Sequence, residues 1–96
     1  MKVVFRVECA VGEGFVEATL ESMPFLPAKG MRIAPTATAD LLKVDEVYWM
    51  AAEPDVLEVW LVEDEGRVSP WSYFKKQGFK KGMPPTSAAK AQGGAL

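Results

Sequence analysis

The chain contains no histidine. That absence removes the usual general base near neutrality and the commonest metal ligand together. A Ser–His or Cys–His nucleophile is excluded with it. Cysteine is nearly as scarce: Cys9 stands alone, so no internal disulfide can form, which favours a reducing compartment. No apolar run approaches the roughly 20 residues of a membrane span. The apolar start is broken by Arg6 and Glu8, unlike a secretory leader. Together these absences point to a cytoplasmic protein with no membrane segment.

Acidic residues are missing from the last third of the chain. All thirteen lie before Gly66, where five Lys/Arg leave a formal charge of −8, while residues 67–96 carry six Lys/Arg and no acid, +6. Such asymmetry marks either a basic segment that meets a polyanion or one that docks on its own acidic domain. The length of 96 residues allows one domain, and a folded part of this size is marginal unless well packed. At 49 % hydrophobic, with ten aromatics, the chain has the apolar side chains for a core.

What is present reads mainly as strand. Val3, Phe5, Val7 and Cys9 alternate with Lys2, Val4, Arg6 and Glu8, the period of a half-buried strand. Gly12-Glu13-Gly14 is turn chemistry, and Val16, Ala18 and Leu20 then alternate with Glu17, Thr19 and Glu21, so the spacing predicts a hairpin. Pro24 and Pro27 keep the next segment out of a central strand. Residues 31–34 form a short strand stopped by Pro35. Residues 39–52 fit two patterns. As a helix, Asp40 is the N-cap and Leu41, Val44, Val47/Tyr48 and Ala51 a stripe. As strands, Leu42 and Val44 share one face and Val47 and Trp49 the other, with Asp45-Glu46 as a bulge that flips the register. The β-branched and aromatic content favours strand. Residues 56–62 are a strand with Leu57, Val59 and Leu61 on one face and Val56, Glu58, Trp60 and Val62 on the other.

Beyond Glu63-Asp64-Glu65-Gly66, read as a solvated turn, Ser69 is an N-cap with Pro70 at the first helical position. Gly78 suits a left-handed C′ position followed by Phe79, as in a Schellman stop. Lys75 and Lys76 occupy the last turn, where the helix dipole favours cations. From Lys80 on, the composition cannot support a core, which predicts a disordered basic tail over residues 80–96. Domain and tail thus divide at residues 79 and 80.

Five short strands with a terminal helix describe a small antiparallel barrel. Pro24-Phe25-Leu26-Pro27-Ala28-Lys29-Gly30, Lys43-Val44-Asp45-Glu46-Val47-Tyr48-Trp49 and Val56-Leu57-Glu58-Val59-Trp60-Leu61 resemble a pattern in small bacterial and phage-type proteins with SH3-like barrels. Tyr73-Phe74-Lys75-Lys76-Gln77-Gly78-Phe79 looks like the short final helix that some of them carry. The resemblance covers residues 2–79. It implies a mainly β fold, a five-stranded antiparallel SH3-like barrel with a short C-terminal helix, and leaves function open.

Several groups invite a chemical role. Cys9 sits on the apolar face of the first strand, where a small buried hydrophobe is expected rather than a reactive thiol. Among the carboxylates at 53–65, Glu63-Asp64-Glu65-Gly66 lacks the alternate spacing of a calcium loop, and Gly12 and Gly14 belong to a hairpin and not a phosphate loop. No enzyme, cofactor, metal site or small-molecule substrate is expected. The outward residues Val56, Trp60 and Val62, joined by Trp49, form a candidate protein-binding or self-association face, or else a second core layer. Arg67, Trp71, Tyr73, Lys75, Lys76, Lys80 and Lys81 interleave aromatics with cations, as single-stranded nucleic-acid binding requires. The same residues would also form a helix that covers the open end of an acidic barrel.

Overall fold

A computed structural model of the chain describes residues 1–10 and 12–82. Strands β1 (Lys2–Glu8) and β2 (Phe15–Leu20) pair antiparallel, with Val3 opposite Leu20 and Glu8 opposite Phe15. Gly12 and Gly14 adopt positive φ in the turn between them, which glycine does without steric cost. The Cys9 N–H closes that turn on the Gly14 carbonyl at 2.9 Å. Val3, Phe5, Val7 and Cys9 are buried, as the period of two requires.

A second antiparallel unit follows: β3 (Arg32–Ile33), β4 (Leu42–Trp49) and β5 (Val56–Val62). Residues 39–52 are therefore built around a strand and not a helix. The bulge falls at Asp45: Val44 faces Leu61 and Glu46 faces Trp60, which leaves Asp45 unpaired between them. One extra residue moves every later side chain of β4 across the sheet.

The expectation of five antiparallel strands is corrected on two counts. The mainly β fold has six strands in the order β3-β4-β5-β1-β2-β6, curled into a mixed half-barrel. Its central seam, β1 with β5, is parallel, from Lys2 opposite Val56 to Val7 opposite Leu61. Turn residues announce which consecutive strands fold back on each other, but they carry nothing about which separate units then meet edge to edge. The sixth strand, β6 (Lys80–Lys81), pairs with Glu17 and Val16 of β2. Lys80 and Lys81 thus belong to the sheet and not to a tail. The rest of the expected tail, residues 83–96, lies outside the described residues.

Helix α1 (Trp71–Lys76) packs against β2 and β6. It contributes Phe74, and the residue past its stop, Phe79, to the core formed by Phe5, Val16, Val44, Val59 and Leu61. The ring centroids of Phe74 and Phe79 lie 5.4 Å apart, edge to face. The Schellman stop forms as its residues predict: Gly78 has φ +91°, its N–H reaches the Lys75 carbonyl, and the Phe79 N–H reaches Phe74. At the C-terminal end the loop after β3 clasps the helix. Thr36 donates its hydroxyl to the Gln77 carbonyl, Tyr73 donates its hydroxyl to Asp40, and the Gln77 amide donates to Asp40 at 3.2 Å.

The N-terminus of α1 departs from expectation. Ser69 does not cap it; Pro70 holds the N-cap position in extended backbone, and the Trp71 N–H is met by Glu13 Oε1 at 2.8 Å. Ser69 is engaged elsewhere because Glu63, expected in solvent, is buried. Glu63 Oε2 accepts the Ser69 N–H at 2.6 Å, while Oε1 accepts the Ser69 hydroxyl at 2.7 Å and Arg67 Nε at 3.1 Å. A buried carboxylate must be met by donors, and three donors within six residues supply that here. Among the described residues, no helix is long and apolar enough to cross a membrane.

Candidate functional site

The two faces of the sheet hold different chemistry. Val56, Trp60 and Val62 of β5 point away from the core, opposite Leu57, Val59 and Leu61. Trp60 is half-buried there: its indole N–H donates to Glu58 Oε2 at 2.6 Å, and its ring meets Phe15 edge-on at 5.5 Å. Arg6, from the neighbouring strand, pairs with Glu58 at 2.9 Å and Glu17 at 3.2 Å, with its guanidinium 5.4 Å from the Phe15 ring centre. Side chains of the outer face therefore cover one another. Val56 is half-buried beside Lys2, and Val62 is 40 % exposed.

Trp49 does not join that face. It lies directly across from Leu57, and Val47 across from Val59, so the bulge returns both to the core side of the sheet. They stand beyond the reach of the core and remain 55 % and 37 % exposed. Tyr48 takes the outer-face position instead, opposite Glu58, where it lines a shallow hollow with Met50 and Trp60. Both aromatic side chains are held in place. The Trp49 indole N–H donates to the Pro54 carbonyl at 3.0 Å, and the Tyr48 hydroxyl donates to Glu46 at 2.5 Å, which raises the Tyr48 pKa. With Met50, also exposed, four consecutive large side chains project from the end of the β4–β5 hairpin. A signal for this tip stood in the sequence: neighbours along a strand face opposite ways, so a run such as Val47-Tyr48-Trp49-Met50 cannot all be buried by a sheet covered on one side. The loop after β2 adds exposed Phe25 and Leu26, and Pro27, Ala28 and Lys29 beyond them border a hollow with Val47 and Tyr48.

The basic segment is spent differently. Phe74 and Phe79 are core residues, Tyr73 is bonded to Asp40 with Arg67 5.7 Å over its ring, and Trp71 is half-buried with Lys81 Nζ 5.9 Å from its centre. Ring faces that would stack bases are thus engaged within the fold. Arg67 is tied to Glu63, whereas Lys75, Lys76, Lys80 and Lys81 are exposed. The ion pairs among the described residues are all made by arginines: Arg6, Arg32 and Arg67. Cys9 is buried, and burial, with Glu13 nearby, pushes its thiol pKa up. Among the described residues, no group of three or more Cys, Asp or Glu side chains is arranged to hold a metal ion.

Comparison with protein-family models, with characterised proteins and with solved structures finds no match to this chain.

Proposed function

We propose that this chain is a non-enzymatic interaction module that grips another protein through the end of its β4–β5 hairpin. The observation that carries the reading is Trp49: more than half exposed, yet fixed by its N–H bond to Pro54. A large aromatic held rigid before contact loses little conformational entropy on binding and suits the centre of an interface. Tyr48, Val47 and Met50 around it supply apolar area, and Val56 and Trp60 continue it on the outer face. A cytoplasmic setting and kinship with small SH3-like barrels belong to the same proposal, supported by the lone cysteine and by the motifs around Gly30 and Val44.

The test is site-specific photocrosslinking in cells that produce the full chain. A crosslinker at position 49 is expected to yield a discrete protein adduct, and one at exposed Ala37 none. Identical patterns at the two positions, or no adduct at 49, would overturn the reading.

A further inference from the structure

We infer that the partner at this tip is a second copy of the same chain, docked head to tail through its basic end; the inference rests on the tip being an interaction surface. From residue 44 to residue 66 there is no Lys or Arg, and residues 67–82 hold no acid. Within the fold this opposition is only partly cancelled. Glu58, Glu63 and Asp64 are paired with arginines, but among the described residues exposed Asp45 and Glu46 along β4, and Glu53 and Asp55 at the tip, are in no ion pair, nor are exposed Lys75, Lys76, Lys80 and Lys81. Lys2 lines a hollow with Glu53, and Lys29 one with Asp45 and Glu46, and neither lysine pairs with these carboxylates among the described residues.

One copy cannot bring these groups together. The tip is the turn between β4 and β5, whereas β6 runs beside β2, on the far side of β5 and β1 in the sheet. Two copies can. The basic segment also exposes Val68, an apolar counterpart to Trp49 and Met50. The two patches lie on different parts of the molecule, so the contact is heterologous and continues from copy to copy unless it closes into a ring. Its electrostatic part acts between exposed groups and is screened as the Debye length falls from about 30 Å at ~0.01 M salt to about 3 Å at ~1 M.

Sedimentation of the full chain at those two ionic strengths tests this, with folding of each variant checked by circular dichroism. At low salt the weight-average mass should rise with concentration by about twofold or more, and return to monomer at high salt. Lys75→Glu/Lys76→Glu and Glu53→Lys/Asp55→Lys should each be monomeric alone. Mixed, they offer two compatible pairs of ends, native tip on native basic end and reversed tip on reversed end, and should co-assemble. A chain carrying both reversals should associate again. A monomeric wild type at low salt overturns the inference, as does association that either reversal leaves intact. If the wild type is monomeric while a crosslinker at position 49 still captures a different protein, the head-to-tail inference falls and the interaction reading stands. If position 49 captures nothing, both fall.

Discussion

Glu63 grips Ser69 with both carboxylate oxygens, one on the backbone N–H at 2.6 Å and one on the hydroxyl at 2.7 Å. Its side chain is 2 % exposed. This clasp sets the path by which the chain leaves β5 and enters α1, and so decides where Phe74 meets the core. The neighbouring Ala10 N–H bonds the Ser69 carbonyl at 3.0 Å, tying the same residue to the β1–β2 turn.

Removing the carboxylate leaves buried donors unmet. Glu63→Ala should destabilise the protein by about 1–3 kcal/mol for each donor left without a partner. Glu63→Gln, which keeps the shape and one acceptor, should cost less. Urea unfolding followed by tryptophan fluorescence measures both, and equal small losses would show that the clasp is not structural.

The bond from Tyr73 to Asp40 gives the fold a pH window. Accepting from Tyr73, and then from Gln77, lowers the Asp40 pKa, while the same bond raises that of Tyr73. A lowered carboxyl stabilises above its unfolded value of about 3.9 and loses that contribution as pH falls through the folded value. A raised phenol stabilises below its unfolded value of about 10 and loses that contribution as pH climbs through the folded one. The melting-temperature difference between wild type and Tyr73→Phe should therefore be largest between these limits and shrink on both sides. A difference that is flat with pH would assign the loss to packing alone.

Cys9 should be a reporter of unfolding. Burial first, and Glu13 second, raise its thiol pKa, and both reduce the thiolate that reacts. Alkylation of the native protein should be slow and should accelerate in proportion to the unfolded fraction in denaturant. Rapid labelling under native conditions would mean that the hairpin end opens locally.

Gly78 sits at φ +91°, and a Cβ there would touch the Thr36 side chain at 3.4 Å. Gly78→Ala should cost about 1–2 kcal/mol, the penalty of a left-handed backbone for an L side chain. Part of that loss should come from the Thr36 bond to Gln77. Chemical denaturation of the variant, alone and combined with Thr36→Val, shows whether the two effects are coupled.

Much of this was legible along the chain. The alternation in β1 and β5 identified the buried set of Val3, Phe5, Val7, Cys9, Leu57, Val59 and Leu61, because period two is a local geometric property of a strand. Gly78 and Phe79 announced the helix stop for the same local reason, and the Asp45-Glu46 pair marked the bulge. The candidate site was legible only in part. Trp49 was expected on the outward face with Trp60; it is exposed, but the bulge sets it on the opposite face, and Tyr48 takes its place.

The sequence by itself determined five of the six strands, the hairpin turn between β1 and β2, the helix stop and the opposition of charge between residues before and after Gly66, all of which depend on near neighbours. Tertiary structure decided the rest. The parallel seam of β1 with β5, the burial of Glu63 and the capping of Trp71 by Glu13 join residues that are distant in the chain. Such pairings are selected by the free energy of the whole core and by the need to satisfy each buried polar group, and neither quantity is carried by a local pattern.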